Sequence, residues 1–277
     1  MSFYSKLLNH SFVIFSTLAL LTNLVSITNA EESQSEKSPL EKVFQTQVNS
    51  YYSINGFYNF SANQGAQKDL GDINDALAVI EERMNELKGE AGQAGDTDSF
   101  KTATSAWKAY QKILNQNIRE VQKTGYPDLR LAGDMAKQNI AFNTALTNLY
   151  NTMVEMSSKK PNHTTALSRS AATNLALMMT KYSARTTSTV SQVYAGEDGD
   201  LEVTIDSLAT EFSSQLQELL TSAKENKTAN KLLDSANTKW DFIKSSYLNY
   251  NENRVNFIVN LYSKKIISDI DLALTTK

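Results

Sequence analysis

Three basic side chains on the predicted fifth helix have the types and spacing that most suggest ligand chemistry. Arg169, Lys181 and Arg185 lie near one another along that helix. A guanidinium group presents a fork of N–H donors that matches the oxygens of carboxylates and phosphates. The three residues therefore form a candidate anion-binding site for a small ligand, and the alternative is an ordinary solvated helix face.

A dense aromatic cluster near the start of the predicted helical region is a candidate partner surface. Tyr51, Tyr52, Phe57, Tyr58 and Phe60 supply more rings than one buried seam requires. Some of these rings are therefore expected to be partly exposed and to contact a partner. Tyr51, Tyr52, Phe57 and Tyr58 are the proposed contact residues.

The composition argues against most catalytic chemistry. The 277 residues include no Cys and only two His, one of which lies in an N-terminal segment expected to be removed. No nucleophile elbow, phosphate loop or zinc-protease motif occurs. The chain has 27 Lys and Arg against 30 Asp and Glu, a net charge of -3. It therefore lacks the excess of basic residues that is typical of nucleic-acid-binding proteins. We expect a protein that is not an enzyme, has no metal site or cofactor, and has no nucleic-acid partner.

The first thirty residues are typical of a secretory signal peptide. Lys6 gives a weakly positive start, an apolar run covers residues 12–21, and Thr28-Asn29-Ala30 offers small residues for cleavage. An uncleaved anchor helix is the alternative, although the apolar run is short for a membrane span. Residues 31–37 are predicted to be a flexible lead-in. The protein is therefore expected to be periplasmic or secreted.

The elements that position these residues are predicted to be helices. Apolar residues recur at spacings of three and four, and no alternating strand pattern is present. Ser38-Pro39-Leu40-Glu41 is a capping box that begins the first helix. The fold is predicted to be all-α, built from elongated antiparallel helical bundles. The predicted segments are 38 to about 63, 70–88, 98–124, 131–159, 164 to about 194, 201–219 and 228–277, the last as one helix or as two with a break near 249–253.

An internal repeat divides the helical region into two units. Residues separated by about 131 positions match, including Tyr51 with Tyr182, and the only two tryptophans, Trp107 and Trp240, match at a slightly larger offset. The two tandem, sequence-related bundles are predicted to cover residues 38–160 and 161–277. The remaining matched pairs are Gly65 with Gly196, Asp69 with Asp200, Leu70 with Leu201, Asp75 with Asp206, and Leu77 with Leu208.

The second unit carries a stretch that resembles a known family of sensor domains. Arg169 is followed by Leu175, Met178, Met179 and Lys181, and Trp240 lies on the following long helix. This pattern resembles the N-terminal sensor domain of type IV pilus methyl-accepting chemotaxis transducers, which is similar to the periplasmic nitrate-sensor domain of bacterial histidine kinases. The likeness covers about residues 167–272. It implies a periplasmic helical bundle that receives a signal or a partner, with a link to pilus or chemotaxis-type signalling.

Two functions are favoured by the sequence, and an enzyme of unrecognised type is a third hypothesis. The first is an exported, non-enzymatic, sensor-like binding protein that recognises a small ligand or a signalling protein of the envelope or membrane. The alternative is a structural or adhesion protein of the cell envelope, in which the long helices act as spacers. Formation of a homo-oligomer along the final helix would favour the alternative.

Overall fold

The described part of the backbone consists almost entirely of α-helices. The computed structural model describes residues 37–94, 97–158, 160–187, 203–249 and 255–276. Within these ranges it contains eight α-helices and no strand, which confirms the all-α prediction. The helices are α1 (Pro39–Ala62), α2 (Gln67–Ala94), α3 (Thr97–Thr124), α4 (Leu129–Met156), α5 (His163–Thr187), α6 (Ile205–Ser222), α7 (Lys227–Leu248) and α8 (Asn256–Thr275).

Polar side chains at the starts of several helices accept hydrogen bonds from first-turn amides. The Ser38 side chain accepts from the Glu41 N–H at 3.3 Å, and Pro39 occupies the first turn of α1, as the predicted capping sequence requires. The same role is taken by Asp128 for α4, Thr204 for α6 and Asn226 for α7. These caps satisfy amides that have no partner inside the helix.

One predicted helix end is right and another is wrong. Gly65 follows α1 with a left-handed φ of +87°, and its N–H donates to the Phe60 carbonyl at 2.8 Å. The stop predicted at Lys88-Gly89 does not occur, because α2 continues to Ala94. Leu87 is fully buried in the core, and Glu90 pairs with Lys42 of α1 one turn later. These tertiary contacts outweigh the cost of about 1 kcal/mol for a glycine inside a helix.

The final segment is two helices in succession, not one continuous rod. Helix α7 ends at Leu248 and α8 begins at Asn256, and residues 250–254 lie outside the described ranges. Helix α5 is described as far as Thr187, and its predicted end near 194 lies outside the described ranges. The repeat residues Gly196, Asp200 and Leu201 also lie outside the described ranges.

Helices α1 and α5 pack against each other and, between them, against α2, α3, α4, α6 and α8. Helix α1 contacts α2, α3, α4 and α5, whereas α5 contacts α1, α6 and α8. The remaining contacts join α3 to α4, α6 to α7 and α7 to α8, with a smaller contact between α2 and α3. The described residues from Lys37 onward belong to one compact unit.

The unit contains two hydrophobic cores, each with one of the two tryptophans. Trp107 is 6% exposed and lies 5.3 Å from Phe142, ring centre to ring centre, in the core built mainly by α1 to α4. Trp240 is 2% exposed and packs edge-on against Phe212 at 4.8 Å in the core built mainly by α5 to α8. Helix α1 also supplies the second core with side chains, namely Phe44, Val48 and Tyr51.

None of the described helices is long and apolar enough to cross a bilayer. The predicted signal peptide and residues 31–36 of the predicted lead-in fall outside the described ranges.

Candidate functional site

Arg169 is a buried cation held between three helices. It lies in the first half of α5, where its Nη2 donates to Glu41 Oε2 of α1 at 2.7 Å and its Nη1 donates to the Tyr150 hydroxyl of α4 at 3.2 Å. The rings of Phe44 and Tyr150 each lie 5.9 Å from the guanidinium carbon. The residue is 9% exposed. Its charge is therefore balanced by one carboxylate and flanked by two aromatic faces.

Some N–H donors of the Arg169 guanidinium have no hydrogen-bond acceptor among the described residues. Arginine carries five N–H donors, and in the described part of the chain two of them find acceptors. The buried Nε has no acceptor there. An unpaired buried donor on a charged group is costly. The second proton of each Nη is therefore left for a further oxygen ligand, and donating it would not break the Glu41 pair.

A cleft of about 620 Å³ adjoins Arg169. It is enclosed by the start of α1, the end of α4, the α4–α5 connection and the start of α5, with Glu90 of α2 at one side. Its volume falls within the range of about 300–1,000 Å³ that is usual for ligand pockets. The lining residues are Ser38, Pro39, Leu40, Glu90, Met153, Met156, Ser157, Lys160, Pro161, Asn162, Thr165 and Arg169.

The walls combine apolar surface with a small excess of positive charge. Leu40 and Met153 are buried, and Met156 is 49% exposed at the opening. Lys42 is buried behind the wall and donates to Glu90 Oε1 at 2.6 Å, which balances that carboxylate. The exposed Lys160 adds a positive charge at the rim. The cleft therefore suits a small molecule with an apolar body and an anionic or oxygen-rich end.

A second carboxylate lies within the electrostatic reach of Arg169. Burial raises the pKa of Asp271, and the neighbouring Glu41 carboxylate raises it further, whereas Lys37 and Arg169 act in the opposite direction. The positive charge of Arg169 thus acts on the carboxylates of both Glu41 and Asp271. A ligand carboxylate in the cleft would add a third acidic group to this set.

The structure does not bring the predicted basic triad together. Lys181 and Arg185 follow Arg169 on α5 by twelve and sixteen residues, so they lie about 18 and 24 Å farther along the helix axis. Lys181 is 4% exposed, and burial together with the Arg185 charge lowers its pKa to about 8. Arg169 therefore lines the cleft, whereas Lys181 and Arg185 lie farther along α5.

The proposed aromatic partner surface is mostly core. Phe57 and Tyr58 are each 1% exposed in the first core, and Tyr51 lies in the second core. Tyr52 alone of the four is partly exposed, and its ring lies 5.3 Å from the Lys264 ammonium. The cause is the position of α1, which has a core on each side and so buries rings on opposite faces.

Two contacts that define the site cannot be predicted from local sequence. The sequence predicts Glu41 only as part of a helix-capping box and gives no role to Tyr150. Glu41 and Arg169 are 128 residues apart, so their pairing follows from the side-by-side packing of α1 and α5. Among the described residues, no group of three or more His, Asp or Glu is arranged to hold a metal ion.

Comparison with known proteins gives no relative. No protein-family model matches the sequence, and neither the curated proteins nor the solved structures contain a match.

Proposed function

We propose that this chain is an exported, non-enzymatic, sensor-like binding protein whose cleft at Arg169 takes a small ligand with an anionic or oxygen-rich end. The observation that carries the proposal is the buried guanidinium with unused donors beside a cleft of about 620 Å³. Export rests on the signal-like sequence of residues 1–30. The non-enzymatic assignment rests on the sequence, which has no recognisable catalytic motif.

The proposal includes two sequence-related bundles in tandem. Its support is a correspondence in order, α1 to α4 with α5 to α8, in which Tyr51 and Tyr182 lie on α1 and α5, and Trp107 and Trp240 lie on α3 and α7. Helix α1 packs on α2 and α4 as α5 packs on α6 and α8. On this proposal α1 and α5 form the contact between the two bundles.

The proposal also includes a role in pilus or chemotaxis-type signalling. Its support is the resemblance of the Arg169–Lys181 stretch to transducer sensor domains. In this stretch Leu175, Met178 and Met179 are buried side chains, and Arg169 lines the cleft. The stretch thus supplies both packing residues and the candidate ligand residue. The partner would be a signalling protein of the envelope.

The test is a binding titration with defined probes. Sodium hexanoate supplies a carboxylate with an apolar tail, hexanol lacks the charge, and sodium nitrate lacks the tail. Isothermal calorimetry on residues 31–277 should show hexanoate binding more tightly than either of the other two. Arg169→Lys keeps a charge for Glu41 but loses the guanidinium fork, so it should weaken hexanoate binding by about tenfold.

Arg185→Lys is the matched control, because it makes the same change on the same helix away from the cleft. Its affinity should equal that of the unmodified chain. Equal weakening by both variants, or no binding of hexanoate at all, would remove the Arg169 cleft as the ligand site.

Exposed apolar side chains favour the structural or adhesion role as a second candidate. Phe242 is 62% exposed on α7, and Phe257 and Leu272 are 64% and 50% exposed on α8. Such residues on the last two helices suit contact with a second copy. Light scattering decides the matter, because a stable oligomer supports this role and a monomer at high concentration argues against it.

A further inference from the structure

A second cleft, separate from the one at Arg169, lies where α1, α2 and α8 meet. It has a volume of about 360 Å³. Helix α1 contributes Asn55 and Asn59, α2 contributes Lys68 and Asp72, and the first turns of α8 contribute Phe257 and Asn260. Gly56 shapes this corner, because a Cβ atom there would lie 2.9 Å from Ile73 Cγ1 of α2. The absence of a side chain thus allows α1 and α2 to approach closely.

Amide groups at the base of the cleft are fixed by one another. Asn55 is 1% exposed, and its Nδ2 donates to Asn260 Oδ1 at 2.9 Å. Its Oδ1 accepts from Asn59 Nδ2 and from the Ser183 hydroxyl, each at 3.1 Å. Ser183 lies on α5, so the network joins α1, α5 and α8. These bonds lock the side-chain orientations before any ligand arrives.

The fixed network leaves a donor and an acceptor unused. Asn260 receives hydrogen bonds on its oxygen, so its Nδ2 is left without an acceptor in the part of the chain that the structure describes. Asn59 donates through its nitrogen, and its Oδ1 accepts no hydrogen bond from the described residues. Both residues line the cleft. A ligand that both donates and accepts is therefore the complementary one.

The charges at the rim cancel. Lys264 Nζ lies 3.3 Å from Asp72 Oδ2, and Asp69 Oδ2 accepts from Asn63 Nδ2 at 2.7 Å. Lys68 completes a set of two cations and two carboxylates among the lining residues. The lining residues of the cleft therefore carry no net charge.

An exposed aromatic ring stands at the edge of the cleft. Phe257 is 64% exposed, and the Lys68 ammonium lies 5.4 Å from its ring centre. A ligand with an apolar face would bury part of this ring and gain hydrophobic contact. The cleft thus offers neutral hydrogen-bonding groups at its base and one aromatic surface at its edge.

We infer that this cleft binds a neutral saccharide ring. Each hydroxyl group both donates and accepts, which matches the Asn260 donor and the Asn59 acceptor. The C–H face of the ring would pack on Phe257. A purely apolar ligand would leave the amides unpaired, and an ion would gain little from a rim without net charge.

The experiment is saturation-transfer NMR followed by calorimetry on residues 31–277. The probes are D-glucose, D-galactose, D-mannose, N-acetyl-D-glucosamine and the β-1,4-linked disaccharides of glucose and N-acetylglucosamine. At least one should bind, and its Kd should change less than twofold between about 0.02 and 0.5 M salt because the ligand is neutral. Glycine and L-serine serve as zwitterionic comparators.

Two variants locate the saccharide. Asn59→Ala removes the acceptor, and Phe257→Ala removes the exposed ring; each should weaken binding by about fivefold or more. Phe242→Ala is the matched control, because Phe242 is a similarly exposed ring on α7 and should leave the Kd unchanged. Circular dichroism melting curves establish that each variant is folded.

Three results would overturn the inference. They are no binding of any saccharide in the panel, tighter binding of the zwitterions than of the saccharides, and saccharide binding that Phe257→Ala and Asn59→Ala leave intact. Loss of hexanoate binding in Arg169→Lys would not affect this site, so the two proposals fail independently.

Discussion

Arg169 and Lys181 show how burial gives charged side chains on one helix different roles. Arg169 is paired with Glu41 and adjoins a cleft, whereas Lys181 is buried near Arg185. The sequence identified both residues as chemically interesting from their type and spacing. The environment of each residue depends on which helices pack against that part of α5. The sequence around the residue does not determine this packing.

Lys181 predicts a rise in stability at alkaline pH. Its pKa is about 8 in the folded protein against an ordinary value of 10.5, because burial and then the Arg185 charge disfavour the ammonium. Between these two values the unfolded chain holds a proton that the folded protein has released. Unfolding therefore takes up a proton, and the contribution of this group to the free energy of unfolding increases as pH rises from about 8 to 10.5.

The measurement is urea unfolding at several pH values for the unmodified chain and for Lys181→Met. The variant should lack this rise, because Met has no proton to exchange. Lys231→Met changes an exposed lysine on α7 and should keep the profile of the unmodified chain. Identical profiles for the chain with and without Lys181 would show that its pKa is not lowered.

At the scale of the helices, glycine predicts the end of a helix correctly at one position and wrongly at another. Gly65 ends α1 because its left-handed backbone allows the terminal hydrogen bond to Phe60. Gly89 lies within α2, where neighbouring turns are held by core packing and by the Lys42–Glu90 pair. Helix starts were easier to predict, because Ser38 interacts with its own first turn.

Two glycine substitutions should have opposite effects. A Cβ atom added at Gly89 would meet nothing within 4 Å, so Gly89→Ala should raise the free energy of unfolding by about 0.5–1 kcal/mol. In Gly56→Ala the new Cβ would meet Ile73 at 2.9 Å, so this change should lower stability by about 1–3 kcal/mol. Urea titrations of both variants make the comparison. A destabilised Gly89→Ala protein would contradict the continuous course of α2.

At the scale of the whole molecule, α1 and α5 connect two cores. Helix α1 supplies Val43 and Ile54 to one core and Val48 to the other, and α5 supplies Ala184 to the core built mainly by α1 to α4. The all-α class followed from periodicity in the sequence. The sequence does not predict that α1 is shared between the cores, because the dense aromatic residues of α1 indicate a partner surface instead.

Shared helices predict a single unfolding transition. Trp107 reports on one core and Trp240 on the other, so Trp240→Phe and Trp107→Phe variants each leave one fluorescent probe. Within each variant, the fluorescence transition in urea should coincide with the loss of helical circular dichroism. Two separated transitions would mean that the cores unfold independently and that the contact between α1 and α5 is weak.

Methyl NMR shows directly whether a small ligand occupies the cleft at Arg169, as we propose. Met153 and Met156 line the cleft, whereas Met178 and Met179 are buried elsewhere on α5. With methyl-labelled methionines, adding sodium hexanoate should shift the Met153 and Met156 signals and leave those of Met178 and Met179 in place. Unchanged Met153 and Met156 signals at saturating hexanoate, or equal shifts of all four, would mean that hexanoate does not bind specifically in this cleft.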